Sequence, residues 1–262
     1  MEKFFNYKEN PFSDEKAVSN NDIIRVSEKM DGSLIYFFLS DGVLYCRTKG
    51  TVYSQQAQMA MEIVKKNEAL KNNIYYEIEM GLTPMFELIS PRNQVVILYN
   101  TEELKYIFSR NMYTGEYIFS EHFSDFAVPS YPISSISDSL SMLQTMNHRE
   151  GLVIMFSDGS MLKLKTDEYY NLAHLKDNLL NEKCLVRLIL DEKVDEAKAI
   201  FVNDIELNKY IDEMAIKVIP TYNHLVTSAQ NFYDKYKELS IKDYAILTDK
   251  ELDLPAKHLA IG

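Results

Sequence analysis

The sequence predicts an α+β protein whose first part is rich in strands and whose last part is helical. Two Asp-Gly pairs, Asp41-Gly42 and Asp158-Gly159, each lie between apolar, strand-like runs, a strong short-range signal for a β-hairpin. From about Asp167, apolar residues recur at helical spacing and turn residues are few. We therefore expect antiparallel sheets with flanking helices in residues 1–170 and a helical domain in residues 171–262.

The first elements alternate between strands and one long helix. Three apolar runs predict strands: 23–27, 33–39 and 43–47. Residues 54–70 have the periodicity of an amphipathic helix with Ser54 as its N-cap. Residues 72–80 are compatible with either a helix end or a strand.

Strand signals return in the middle of the chain. Six runs predict strands: 85–89, 94–99, 104–109, 117–119, 151–156 and 161–165. A loop containing Pro129 and Pro132 precedes a predicted helix at 133–146. Helical spacing then covers three longer runs: 184–190, 194–202 and 205–236.

Composition bounds the class of protein. The chain has 262 residues, 46% of them hydrophobic, which is enough for a substantial core. The net charge of −11 argues against a nonspecific nucleic-acid coat, although it is compatible with a local basic groove. No apolar run approaches the roughly 20 residues that span a bilayer, and we expect no membrane partner. Cys46 and Cys184 form no metal or disulfide pattern, so the expected location is a reducing cytoplasm.

The first chemical signal is Lys29-Met30-Asp31-Gly32-Ser33, between two predicted strands. A lysine amine attacks phosphorus only in its neutral form, and burial or nearby positive charge favours that form. Gly32 would let the backbone approach a phosphate without a Cβ clash. Alone, this motif is a weak signal that more often marks a solvated strand end.

The second signal is Lys163-Leu164-Lys165. The period of two places both amines on one face of the strand. Two neighbouring ammonium groups repel each other and require an anion, for which a triphosphate is suitable. An exposed basic strand face remains the alternative.

Three further signals are two carboxylates and a basic hairpin end. Glu87 follows Phe86, and Glu150 precedes Gly151, each beside an apolar strand run. Such carboxylates can hold Mg²⁺, directly or through water, or bind ribose hydroxyls. Lys49 lies beside a glycine at the end of the first hairpin.

The order of these signals resembles the motif order of the covalent nucleotidyltransferases, which include DNA ligases, RNA ligases and mRNA capping enzymes. Within that superfamily the chain most resembles the bacteriophage RNA ligase 1 family. The resemblance extends to several short segments of the first 175 residues: 1–6, 9–12, 54–60, 91–93, 114–117 and 158–169. The helical pattern after Lys165 favours an RNA ligase over DNA ligases and capping enzymes, in which a β-barrel usually follows.

The resemblance implies a role for each matching residue. Lys29 would be the nucleophile that carries AMP, and Lys163 and Lys165 would bind phosphates and stabilise the transition state. Glu150 and Glu87 would hold Mg²⁺ (or Mn²⁺) or the nucleotide. The other residues implied in nucleotide binding are Lys3, Phe5, Asp31, Gly32 and Lys49, with Tyr169 a weaker correspondence.

The implied activity is ATP-dependent joining of RNA 5′-phosphate and 3′-hydroxyl ends. The expected setting is repair of broken tRNA, and the expected location is an infected host cell if a phage encodes the chain. Family members carry a further N-terminal segment with an arginine used on the ATP phosphates, and this chain begins almost at the segment that follows it. We therefore expect a missing segment or partner chain, and a chain that seals pre-adenylylated RNA better than it uses ATP. A truncated module that binds RNA or nucleotide without turnover is the alternative.

Overall fold

The structure, a computed structural model, describes residues 4–11, 13 and 22–261. The chain divides into two compact units, Met1–Lys176 and Asp177–Gly262. The first unit extends a few residues beyond the predicted boundary at 170 because helix α4 (Asp167–Leu180) packs Leu172 and Ala173 against a core cluster of that unit.

Two five-stranded sheets form the described part of the first unit. The first sheet has the order β1-β10-β9-β2-β8, in which only the β1–β10 pair is parallel. Its strands are β1 (Phe5–Asn6), β2 (Ile23–Lys29), β8 (Ser130–Tyr131), β9 (Gly151–Phe156) and β10 (Met161–Lys165). The second sheet is antiparallel, in the order β4-β3-β5-β6-β7. Its strands are β3 (Ser33–Ser40), β4 (Val43–Arg47), β5 (Leu82–Ile89), β6 (Glu103–Asn111) and β7 (Tyr117–Ile118).

Both predicted Asp-Gly hairpins are present. In the first, Asp41 and Gly42 have φ values of 50° and 74°, the left-handed conformations that a two-residue turn of matching twist requires. In the second, Gly159 has φ 81° and joins β9 to β10. The second turn fixes the register of β10, the strand that carries Lys163 and Lys165, against β9.

The predicted helix at 54–70 is two helices. Helix α1 spans Gln55–Lys66, and the side chain of Ser54 caps it, as predicted, by accepting a hydrogen bond from the Ala57 amide. Asn67 then leaves the helical conformation and caps α2, Glu68–Glu79, through the Leu70 amide. A side chain that competes for backbone hydrogen bonds thus divides an otherwise continuous apolar stripe, and the ambiguous run 72–80 is helical to Glu79.

The predicted strand at 94–99 is wrong. After a short 3₁₀ turn (Pro91–Asn93), these residues form an irregular loop, although Val96, Ile97 and Tyr99 are buried. The amides of Val96 and Ile97 donate to the carboxylate of Asp31 and not to a neighbouring strand. This short apolar run therefore has the burial of a strand but not the backbone hydrogen bonds to a neighbouring strand.

One helix is shorter than predicted, and a further helix follows the last strand. The helix predicted at 133–146 is α3, Ile136–Leu143, which Ser135 caps through the Asp138 amide. Helix α4 spans Asp167–Leu180.

The second unit is helical. After the end of α4, its helices are α5 (Glu182–Leu190), α6 (Val194–Ile200), α7 (Ile205–Tyr236), α8 (Ile241–Glu251) and α9 (Leu254–Ile261). Their buried apolar residues include Leu185, Ile211 and Phe232. Among the described residues, no helix combines the length and the apolar character needed to cross a bilayer.

Candidate functional site

Three adjacent strands of the first sheet place two lysines on either side of a glycine. Gly151 of β9 is the register partner of Lys29 on β2 and of Lys165 on β10. Residues that are distant in sequence therefore lie in one row across the sheet. The residue before Gly151 is Glu150, and its side chain lies between the two amines.

Glu150 forms an ion pair with each lysine. Its Oε2 lies 2.6 Å from Nζ of Lys29, and its Oε1 lies 3.1 Å from Nζ of Lys165. The Glu150 side chain is 3% exposed, whereas the two lysine side chains are 21% and 20% exposed. The carboxylate is thus buried beneath two amines that solvent still reaches.

Gly151 is required by this close approach of strands. Its φ is +153°, and a Cβ atom at this position would lie 1.9 Å from the carbonyl oxygen of Leu164. That contact is with backbone of the next strand, so rotation of a side chain cannot relieve it. Any larger residue would push β9 away from β10 and separate Glu150 from Lys165.

Lys163 adds a third amine to the site. It lies on β10 beside the short parallel strand β1, where Asn6 is its register partner. Its Nζ lies 5.2 Å from the centre of the Phe4 ring. Burial, together with the positive charges of Lys29 and Lys165, lowers the pKa of Lys163. A polyanion between these amines would relieve their repulsion.

Gly32 and Glu87 form the facing wall. The Gly32 amide donates a 3.1 Å hydrogen bond to Oε1 of Glu87, and a Cβ on Gly32 would lie 2.2 Å from the Leu88 carbonyl oxygen. Burial raises the pKa of Glu87 to about 8, against the opposing effect of Lys29 and with support from Glu150 and Asp31. The side chain retains a partly exposed face, which leaves it open to a ligand.

The carboxylate of Asp31 supports the site from behind. Its Oδ2 accepts hydrogen bonds from the amides of Val96 (2.7 Å) and Ile97 (2.6 Å), and its Oδ1 accepts one from the Tyr169 hydroxyl (3.0 Å). The Asp31 amide in turn donates to the Tyr99 hydroxyl. These bonds tie the segment after Lys29 to the loop 94–99 and to helix α4.

Tyr169 connects this network to the amines. Burial, and then the charges of Glu150 and Asp31, raise the pKa of Tyr169, so its hydroxyl stays protonated as a donor. Nζ of Lys165 lies 4.5 Å from the centre of the Tyr169 ring, a favourable cation–π contact. Its position supports the weaker of the sequence correspondences.

A cavity of about 330 Å³ adjoins these groups, within the range of small-molecule sites. Lys29, Gly32 and Glu87 line one end. The remainder is mostly apolar, with walls from both sheets that include Leu34, Ile107, Phe108, Phe119, Val128, Val153, Met155 and Met161. A flat, largely apolar group attached near Lys29 would fit this space.

Lys49 and Phe5 are not among the residues that line this cavity. Lys49 is exposed and lines a separate shallow depression with Ser33 and Gln56. Phe5 is half-buried in β1, where it is the register partner of Leu162. Lys3 lies outside the described residues.

Several residues of the site carried no motif. Arg25 and Ser27 line the cavity because they alternate with Lys29 along β2, and extending the period of two backwards from Lys29 would have found both. Glu28 faces away from this row of side chains, is buried, and pairs with Arg149 at 3.1 Å. No local sequence signal indicates that long-range pair.

A divalent metal fits only as a partly hydrated ion. Among the described residues, no group of three His, Cys, Asp or Glu side chains could enclose one. Glu87 has one oxygen on the Gly32 amide, and Glu150 has both oxygens on lysines. Mg²⁺ commonly binds through one or two carboxylates, waters and substrate phosphates, and that donor set is what Glu87, Glu150 and a nucleotide would provide.

Comparison with known proteins decides the family. A profile of the RNA ligase family typified by T4 RNA ligase 1 matches residues 1–170. The chain belongs to this RNA ligase family. The resemblance inferred from the motifs is thereby confirmed, and the matched residues include every strand of the two sheets.

Relatives and solved structures agree with this assignment. A candidate RNA ligase of Thermovibrio ammonificans is 28% identical over 256 residues, which cover 92% of this chain and 67% of that protein. A candidate bifunctional polynucleotide kinase/RNA ligase of Autographa californica nuclear polyhedrosis virus is 26% identical over 225 residues, 77% of this chain and 32% of that protein. An archaeal ATP-dependent RNA ligase structure superimposes with a TM-score of 0.50 at 16% identity, covering 81% of this chain and 63% of that one. This last likeness confirms the nucleotidyltransferase fold.

Proposed function

We propose that this chain is the catalytic part of an ATP-dependent RNA ligase that carries AMP on Nζ of Lys29. The observation that carries the proposal is the buried Glu150 carboxylate between Lys29 and Lys165, at the end of a cavity suited to a nucleoside. The chain spans only 32% of one curated relative, so the activity of the whole protein is part of the proposal.

In the first step, Nζ of Lys29 attacks the α-phosphorus of ATP. A phosphorus–nitrogen bond forms, the bond to the β-phosphate oxygen breaks, and pyrophosphate leaves. Glu150, 2.6 Å from Nζ, is in position to accept the proton that Nζ loses. In-line attack on phosphorus depends mainly on holding the nucleophile and the phosphate in fixed positions.

Lys163 and Lys165 would bind the phosphates during this step. Both side chains lie beside Lys29, and the pKa of Lys163 is lowered first by burial and then by the charges of Lys29 and Lys165. Charge that develops on phosphate oxygens would be stabilised by amines already placed at the site. Mg²⁺ or Mn²⁺, held by Glu87 and Glu150 through water, would neutralise further phosphate charge when bound.

The later steps act on RNA. A 5′-phosphate oxygen attacks the phosphorus of lysyl-AMP and releases Lys29, which gives a 5′–5′ pyrophosphate-linked RNA. A 3′-hydroxyl then attacks the 5′-phosphorus, a phosphodiester forms and AMP leaves. Repair of broken tRNA remains our proposed setting, supported by the family resemblance alone.

The three steps should be assayed separately. We would follow label from α-³²P-ATP onto the protein, then onto 5′-phosphorylated RNA, and follow the sealing of RNA adenylylated in advance. Lys29→Ala should abolish the first two steps but retain sealing, because the last step does not use the Lys29 amine as a nucleophile. Lys71→Ala, a change at an exposed lysine of α2, is the matched control.

The outcomes separate the alternatives. Label on the wild-type protein that survives Lys29→Ala would refute the proposed nucleophile. Sealing without labelling would favour a chain that uses only pre-adenylylated RNA. RNA binding without either activity would favour a binding module.

A further inference from the structure

The end of the cavity remote from Lys29 contains a second cation, Arg25. Arg25, Ser27 and Lys29 alternate along β2 and all three line the cavity. Arg25 lies four positions before Lys29 on the strand, a distance of about 13 Å between their Cα atoms. Ser27 lies midway, paired with Val153 on β9.

A β-bulge lies directly before Arg25. The register of β2 against β9 shifts between Ile23 and Arg25, with Ile24 as the extra residue. Bulges redirect the side chains beside them and are common next to active sites. The bulge therefore marks a local departure from regular pairing at the residue that brings a charge into an otherwise apolar wall.

Arg25 has donors to spare. Its guanidinium carbon lies 4.2 Å from the centre of the Phe119 ring, a favourable cation–π contact. Its Nε is buried, and no residue in the described part of the chain accepts a hydrogen bond from it. Because that nitrogen has almost no accessible surface, a ligand in the cavity would have to use the other donors of the guanidinium.

A nucleotide with its phosphate at Lys29 would be such a ligand. Its sugar and base would extend along β2 across Ser27 and Val153, with the outer edge of the base toward Arg25. Purines present ring nitrogens as acceptors, and arginine binds such acceptors on base edges. An apolar wall on both faces and a donor at the far edge together make a site for a purine.

We propose that Arg25 is a nucleotide-binding residue that donates a hydrogen bond to a ring nitrogen, N1 or N7, of the bound adenine. The inference rests on the proposed function, because it assumes that Lys29 fixes the phosphate end of the nucleotide. The rival explanation is that Arg25 only packs against Phe119 and stabilises the cavity wall.

Calorimetric titration can separate these roles. ATP, 1-deaza-ATP and 7-deaza-ATP would be titrated into the chain in a Lys29→Ala background, which prevents covalent turnover. The same titrations would be made with Arg25→Met, which removes every donor but retains an apolar side chain. Arg187→Met, at an exposed arginine of α5, is the control, and thermal unfolding would verify that each variant folds.

We expect Arg25→Met to weaken ATP binding by about tenfold or more. One of the two deaza analogues should bind the parent protein weakly and lose nothing further in Arg25→Met, as a thermodynamic cycle requires of two groups that contact each other. The analogue that behaves in this way identifies the nitrogen.

Two results would overturn the inference. If Arg25→Met weakened the binding of ATP and of both analogues equally, Arg25 would have only a structural role. If Arg25→Met left ATP binding unchanged, Arg25 would have no role in binding. If the parent chain bound no nucleotide at all, the proposed function would fail and this inference with it. Nucleotide binding by the parent, with no dependence on Arg25, would leave the proposed function intact.

Discussion

Replacing Gly151 with alanine is the sharpest test of how the site is built. The new methyl carbon would lie 1.9 Å from the Leu164 carbonyl oxygen and 2.9 Å from Cα of Lys165. Because both contacts are with backbone, β9 and β10 must separate by roughly 1 Å to reach the shortest distances that Cβ atoms tolerate. The register pairs of Gly151 with Lys29 and Lys165 would be the first to loosen.

The expected cost has two parts. Alanine at a φ of +153° is strained by about 1–3 kcal/mol, and disrupting one or two strand hydrogen bonds costs about 1 kcal/mol each. The sum of about 2–5 kcal/mol corresponds to a fall in Tm of roughly 4–20 °C for a domain of this size. Labelling of Lys29 by ATP should also be lost, since Glu150 moves away from Lys165.

The same hairpin offers a matched control. Gly159 also has a positive φ, +81°, but a Cβ there meets nothing within 4 Å. Gly159→Ala should therefore cost only the backbone strain, about 1–2 kcal/mol, and leave labelling intact. Thermal unfolding by circular dichroism and ATP labelling would be measured for both. Equal Tm values for the two variants, or full labelling of Gly151→Ala, would refute the reasoning.

Two further predictions concern the carboxylates. Asp31→Asn should lower the free energy of unfolding, measured by urea denaturation, by about 1–3 kcal/mol. The reason is that an amide cannot accept all the hydrogen bonds from Val96, Ile97 and Tyr169. An unchanged free energy of unfolding would contradict the supporting role of Asp31. Glu87→Gln should gain stability relative to wild type as pH rises from about 5 to 8. The folded-state pKa of Glu87 is raised to about 8, so over this range the folded protein binds more protons than the unfolded chain and wild-type stability falls with pH. A stability difference that stays constant from pH 5 to 8 would contradict that raised pKa.

The sequence predicted both hairpins because a hairpin turn depends on local chemistry. Asp-Gly turns specify strand ends within a few residues, and Lys29, Glu150 and Lys165 stand out by type and spacing. Their meeting in one row is a consequence of register between strands more than a hundred residues apart. The family resemblance implied that convergence, but no local pattern did.

What escaped prediction depended on long-range contacts. The loop 94–99 looked like a strand because its apolar residues are buried, yet its amides bind the carboxylate of Asp31. The Arg149–Glu28 pair likewise joins residues remote in sequence. Arg25 is the exception. Its alternation with Lys29 along β2 was visible in the sequence, but Arg25 belongs to none of the motifs.

Intact-protein mass after incubation with ATP and Mg²⁺ tests the central claim most directly. Wild type should gain the mass of one AMP, Lys71→Ala should gain the same mass, and Lys29→Ala should gain none. Peptide mapping should place the adduct on Lys29. An AMP adduct that persists in Lys29→Ala, or that maps to another lysine, would contradict the account.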